Sequence, residues 1–332
     1  MNGLRLMTDI RIITGDAVLE MQNLESASVD LVIADPPYNL GKDYGNNHDI
    51  KGFDEYLSFS HAWLREAHRL LKPNGTLYVF MGFRFISYLY NILDRELRMF
   101  FNSWIVWHYT QGIGKTKGFS PRHDDILMFT KSQTMKFNLD TVRVPQKYYR
   151  DRNNMRGANP GDVWEFSHVH YCNRNRQNHP TQKPEGLIER MVLASSDEDD
   201  LILDPFVGSG TTLRVCQQID RKAIGIEINT DYVAMTRDRL SASFTGFDSV
   251  DSRMERVPLD LRRPIVRAEY LKNHKKWFLR HHENATKKFE DSISSLYGQP
   301  DKEPTNQMTI FKNREECKDQ QSLSADEDKP LR

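Results

Sequence analysis

The chain has 332 residues, 46 basic and 46 acidic side chains, and a formal net charge of zero. Total charge therefore points to no nucleic-acid partner, and any such signal must be local. Cys172, Cys216 and Cys317 are scattered, without CxxC or Cys/His ligand spacing, so they read as reduced thiols of a cytoplasmic protein; no metal site is expected. No segment approaches the roughly 20 apolar residues of a membrane span, and no signal peptide is read at the N-terminus.

Seven strand-like runs alternate with helical patterns. The first, residues 10–13, leads to Asp16, placed to cap a helix over 17–24. The second, 31–34, closes in Asp35-Pro36-Pro37-Tyr38. Loop 39–52 is rich in Gly, Asn and Asp and is expected to move. Phe53, Tyr56, Leu57, Ser60, Trp63, Leu64, Ala67, Leu70 and Leu71 then recur at helical spacing, until Lys72-Pro73-Asn74-Gly75 stops the helix. A third strand over 77–80, a helix over 85–97 and strands over 104–108 and 126–130 follow.

Residues 140–180 break this rhythm. They carry Arg143, Lys147, Arg150, Arg152, Arg156, Arg174 and Arg176 against only Asp140, Asp151, Asp162 and Glu165. Pro184 opens a helix with Leu187, Ile188, Met191 and Val192 on its apolar face. The strand over 201–203 ends in Asp204-Pro205-Phe206-Val207-Gly208-Ser209-Gly210-Thr211-Thr212. A helix over 211–219, a strand over 223–228 and a helix over 230–240 complete the pattern. Alternating strands and helices predict a doubly wound sheet whose ligands sit beyond the carboxyl ends of its strands. From about 245 the apolar periodicity weakens, although 267–296 can form a basic amphipathic helix. Beyond about 298 the composition is that of a disordered tail.

Two loops carry chemistry. In the second, Gly208 and Gly210 let the backbone bend and approach a ligand, and the helix starting at Thr211 points N–H groups at an anion. Glu227 lies about twenty residues on, the spacing at which an acidic side chain grips ribose hydroxyls. A dinucleotide site would want a further glycine where Leu213 stands. In the first loop, Pro36 and Pro37 fix φ and so hold the Pro36 carbonyl and the Tyr38 ring in place. A plain proline turn after a strand is the competing reading.

Taken together, the two loops resemble the β-group DNA amino-methyltransferases of restriction–modification systems, in which the glycine loop follows the catalytic loop. His179-Pro180-Thr181-Gln182-Lys183-Pro184 fits the family's segment before the cofactor strand. The resemblance spans about residues 10–242. It implies a circularly permuted, seven-stranded class I (Rossmann-like) methyltransferase sheet with helices on both faces. The expected organisation is a methyltransferase domain over 8–244, with 140–180 as a basic target-recognition insertion, a basic helical extension over 245–297 and a tail over 298–332.

By the same resemblance the cofactor is S-adenosyl-L-methionine, with Asp16, Lys183, Asp204, Pro205, Phe206, Gly208, Ser209, Gly210, Thr211 and Glu227 around it. Asp35, Pro36, Pro37 and Tyr38 are the implied catalytic residues. The Asp35 carboxylate and the Pro36 carbonyl accept the two hydrogens of a base amino group, and Tyr38 stacks on a base swung out of the duplex. Arg150, Arg152, Arg174 and Arg176 are candidate DNA contacts. Aspartate at 35 favours adenine N6, since cytosine-N4 members typically carry serine there. A cytosine-N4 enzyme, an RNA or protein amide methyltransferase and a catalytically dead DNA-binding module are the alternatives. Double-stranded DNA is the expected partner, with a cognate restriction endonuclease and a homodimer as further expectations.

Overall fold

The computed structural model describes residues 9–41, 50–110, 114–145, 157–169 and 176–243. Its strands are β1 (Ile10–Thr14), β2 (Val29–Ala34), β3 (Leu71–Met81), β4 (Phe100–His108), β5 (His123–Thr130), β6 (Val163–Glu165), β7 (Leu201–Asp204) and β8 (Lys222–Glu227). They form one sheet in the order β1-β8-β7-β2-β3-β5-β4-β6. Strand β5 runs antiparallel to both β3 and β4, and every other pairing is parallel. All seven expected strands are present. The eighth, β6, extends the sheet beside β4 and is not expected from the sequence, because three residues with an exposed Val163 carry no periodic signal.

The helices are α1 (Ala17–Gln22), α2 (Phe53–Leu70), α3 (Ile86–Asn91), α4 (Leu139–Val142), α5 (Glu185–Ser195), α6 (Thr211–Gln218) and α7 (Thr230–Ser241). Residues Ile92–Glu96 continue α3 as a π-helical turn, closed by Leu97 N–H donating to the Ile92 carbonyl at 2.9 Å. Helix α5 starts one residue later than expected, so Pro184 is its extended cap and not its first helical residue.

Strand β2 is buried throughout, as a central parallel strand must be. Its Val32 and Ala34 pack in a core with α2 residues Trp63, Leu64, Ala67 and Leu70. Leu31 and Ile33 enter a second core on the opposite face, with Leu187, Ile188 and Met191 of α5 and Leu213 and Val215 of α6. The 2-residue period of the strand thus serves two helical layers. Helix α2 places Asp54 and Glu55 in its first turn and His68 and Arg69 in its last, matching its dipole. At its end Leu71 turns extended, and Pro73 cannot continue a helix.

The order of loops follows from this topology. Chain leaves β2 through α2 towards β3, and leaves β7 through α6 towards β8 on the other side. Strands β2 and β7 are neighbours, in register at Leu31/Ile202 and Val32/Leu203. Asp30 fastens this junction, accepting from Lys72 Nζ at 2.7 Å and from Leu201 N–H at 3.0 Å. The crossovers diverge here, which opens a crevice at the strands' carboxyl ends.

Candidate active site

A cavity of about 910 Å³ occupies that crevice. Asp35, Pro36, Pro37 and Tyr38 line one side, and Asp204, Pro205, Phe206, Gly208, Ser209 and Thr211 line the other. Asp16, Lys183, Glu227 and Arg176 complete the set of expected residues on its wall. Gly210 alone among the expected cofactor residues does not line it.

At the β2 end, Asp35 Oδ2 pairs with the Lys183 ammonium across 148 residues of sequence. Asp35 Oδ1 is buried and accepts no hydrogen bond from the described residues. Lys183 Nζ sits 5.4 Å from the Tyr38 ring centroid, 5.2 Å from Phe80 and 5.9 Å from Trp107, within cation–π range of all three. The loop is pinned from below, where Tyr56 Oη donates to the Pro37 carbonyl at 2.7 Å. The resemblance assigns Lys183 to the cofactor carboxylate, whereas its ion-pair partner in the structure is Asp35.

The glycine loop at the β7 end is shaped by two left-handed residues, Gly208 (φ 51°) and Gly210 (φ 75°). A Cβ on Gly208 would fall 2.8 Å from His179 Nε2, and one on Gly210 would fall 2.6 Å from Thr236 Cγ2. Gly210 is therefore needed for the contact with α7, and a side chain there would strike the protein before any ligand. Asp204 Oδ1 accepts from Phe206 N–H at 2.9 Å. Burial pushes the Asp204 carboxyl up to about 7; hydrogen bonds from Thr212 and Phe206 oppose that rise, and the charges of Asp35 and Glu227 add to it. Glu227 closes the loop, with Oε2 accepting from Gly208 N–H at 2.8 Å and Oε1 from Asn229 N–H at 2.9 Å. Burial also raises the Glu227 carboxyl. The side chain lines the cavity, where a carboxylate oxygen can accept from a ligand hydroxyl.

Asp16 holds both expected positions. Its Oδ1 caps α1, accepting from Val18 N–H at 3.0 Å and Leu19 N–H at 3.1 Å, while the residue faces the cavity. Asn39 closes the loop after Tyr38. Its Oδ1 accepts from Lys51 N–H at 2.6 Å and its Nδ2 donates to the Lys51 carbonyl at 3.1 Å.

One supporting group escapes a reading of local sequence. Arg239 on α7 is buried and donates to the Ser209 carbonyl at 2.7 Å, to Thr211 Oγ1 at 3.0 Å and to Glu185 Oε1 at 2.7 Å. Thr211 Oγ1 in turn donates to the Lys183 carbonyl at 3.2 Å. Arg239 thus holds the glycine loop and the 179–184 segment together from behind. In sequence it is one more charge on a helix, with nothing to mark it as buried.

The four candidate DNA arginines divide. Arg176 lines the cavity and donates to the Val169 carbonyl at 2.9 Å, so it supports the cavity wall. Arg150, Arg152 and Arg174 lie outside the described residues, as do the expected extension over 245–297 and tail over 298–332. Among the described residues, no helix is long and apolar enough to cross a membrane.

A family model described as DNA methylase, for N6 and N4 methyltransferases, matches residues 29–238. The Type II methyltransferase M.HpaI of Haemophilus parainfluenzae is 60% identical over 290 residues, 87% of this chain and 92% of that protein. The DNA adenine methyltransferase YhdJ of Escherichia coli is 37% identical over 247 residues, covering 70% and 83%. Among solved structures, the PvuII cytosine-N4-specific DNA methyltransferase aligns with a TM-score of 0.58 at 20% identity, over 72% of this chain and 89% of that one. TTHA0409 of Thermus thermophilus, solved with S-adenosyl-L-methionine, aligns at 0.51 and 24% identity, over 70% and 93%. At these identities the two structures bear on the fold alone.

Proposed function

Because the chain belongs to the N6/N4 DNA methylase family, we propose that it methylates adenine N6 in double-stranded DNA, using S-adenosyl-L-methionine. The observation that carries this reading is the meeting of two loops at one cavity: Asp35-Pro36-Pro37-Tyr38 from β2 and the glycine loop from β7.

The residues fit the methyl donor. Glu227 offers acceptors at the end of β8 for ribose hydroxyls, and α6 begins at Thr211 with no side-chain cap from Gly210, so its first N–H groups are left to bind an anion. Gly208 lines the cavity with its left-handed backbone, and the His179 ring leaves no space for a side chain there. When bound, the donor supplies an electrophilic sulfonium methyl group.

The protein's own part is to present the base nitrogen. Adenine N6 is a weak nucleophile because its lone pair is delocalised into the ring. The Asp35 carboxylate accepts one amino hydrogen and the Pro36 carbonyl accepts the other, which localises the lone pair and stabilises the positive charge that develops. Lys183 pairs with Oδ2 and anchors the carboxylate at the cavity wall. Tyr38 stacks on the flipped base, and the rest of the rate comes from positioning.

Aspartate at position 35 and the likeness to a named adenine methyltransferase support adenine over cytosine. Relatives named as Type II methyltransferases support a role beside a restriction endonuclease in the cytoplasm. A homodimer remains part of the proposal by family resemblance. The test uses the full chain, methyl-labelled donor and duplex DNA, followed by nucleoside analysis. Label in N6-methyladenine is expected. Label in N4-methylcytosine would overturn the base assignment, and label found only in RNA or protein would overturn the DNA reading.

A further inference from the structure

The loop joining β4 to β5 takes no part in the chemistry described above. Its segment Gly114–Arg122 carries Lys115, Lys117 and Arg122 and no acidic residue. Phe119 stands in the middle of it, 100% exposed, the most exposed of the large apolar side chains among the described residues. Leaving a phenyl ring wholly in water forgoes burial that the protein could easily have used.

The segment is nevertheless built. Gly118 adopts a left-handed φ of 84°, and Lys115 N–H donates to Ser120 Oγ at 2.7 Å, closing the turn around Phe119. Tyr109 N–H donates to the Arg122 carbonyl at 2.9 Å, which anchors the base of the loop. Tyr109, Pro121, His123 and Asp124 all line the active-site cavity. Phe119 is two residues from Pro121, so its Cα lies within about 7 Å of a cavity-lining residue.

Resting on the DNA-methylation reading, we propose that Gly114–Arg122 docks on duplex DNA at the cavity mouth, and that Phe119 inserts into the stack where the target base has left. Swinging out a base breaks its pairing and stacking and leaves a gap. An apolar wedge with a flat face stabilises such a gap, as apolar side chains inserted between base steps do elsewhere. The charge pattern fits the same partner. Lys115 and Lys117, both exposed, flank the ring where the phosphates on either side of the gap would lie.

The test requires a duplex containing the chain's own methylation site, located beforehand by modification mapping, and the same duplex with a mismatch opposite the target base. The mismatch removes the pairing to be broken and so lowers the cost of flipping. Phe119→Ala should lower kcat/KM about tenfold or more on the matched duplex and much less on the mismatched one, with donor affinity unchanged in calorimetry. Phe119→Trp should keep most of the activity. With 2-aminopurine as the target base, the alanine variant should lose most of the fluorescence rise that accompanies flipping.

Lys115→Ala/Lys117→Ala should reduce the log–log salt slope of DNA binding by roughly 1 per lysine. Wild-type kcat/KM for Phe119→Ala on matched DNA, or an equal loss on both duplexes, would overturn the wedge. An unaltered salt slope would overturn the phosphate contacts. Failure of the wild-type protein to methylate any duplex would instead sink the functional reading, and the two failures are distinguishable.

Discussion

Replacing Asp35 with alanine probes the centre of the site, and the structure separates its two consequences. The first is chemical: loss of a charge-stabilising acceptor typically costs ~3–4 kcal/mol of barrier, on the order of a hundredfold or more in rate. The second is structural, because Lys183 loses its counter-charge. Breaking a buried ion pair by removing one partner costs about 3–5 kcal/mol. Here the low end applies, since the Asp35 side chain is 22% exposed and three aromatic rings still surround the ammonium. Donor affinity should be unchanged or tighter, because the lysine loses a competing anion. Adding Lys183→Met removes the stranded charge, so Asp35→Ala/Lys183→Met should regain most of the stability and none of the rate. Single-turnover methylation at saturating donor, urea denaturation and calorimetry read the three quantities. Near-wild-type turnover in either variant would refute the role given to Asp35. A double variant no more stable than Asp35→Ala would refute the ion-pair account.

Gly210→Val should abolish donor binding in calorimetry, because its Cβ would meet Thr236 Cγ2 at 2.6 Å and its φ of 75° disfavours any side chain; unchanged affinity would place the donor elsewhere. Asp204 gives a pH signature. Its carboxyl is raised from 3.8 to about 7 in the folded state, so the stability this group contributes is present below about pH 4 and is lost as pH rises towards 7. Asp204→Asn cannot titrate, so its stability relative to wild type should rise by a few kcal/mol between pH 4 and pH 8 in urea denaturation; a constant difference would contradict the assigned shift. Arg150→Ala/Arg152→Ala should weaken DNA binding and reduce the salt slope by roughly 1 for each phosphate these arginines neutralise, and an unaltered slope would return them to a solvated surface.

What could be read before folding follows from the range of each signal. Apolar runs and helical spacing are local, so the seven strands and the helix over Phe53–Leu70 were legible, as were the two loops at strand ends. The inverted order of those loops pointed to the permuted sheet without any contact information. The Asp35–Lys183 pair spans 148 residues, and no local pattern reports it. Arg239 beneath Ser209 and Thr236 against Gly210 are likewise contacts between elements, visible only once α7 is packed. Strand β6 owes its place to the neighbouring β4 edge, with Val106, Trp107 and His108 in register with Val163, Trp164 and Glu165. Gly208 and Gly210 stand out in sequence as positions that need backbone freedom, but the neighbour that forbids a side chain at Gly210 is protein and not ligand.

The most direct test of the central claim, that Asp35 and the glycine loop form one site acting on adenine in DNA, is long-read modification mapping of DNA from cells expressing the chain. The account predicts N6-methyladenine at one recurring sequence in cells expressing the wild-type protein, and none in cells expressing Asp35→Ala at equal protein levels. Methylated cytosine at that sequence, or adenine methylation that persists with Asp35→Ala, would contradict it.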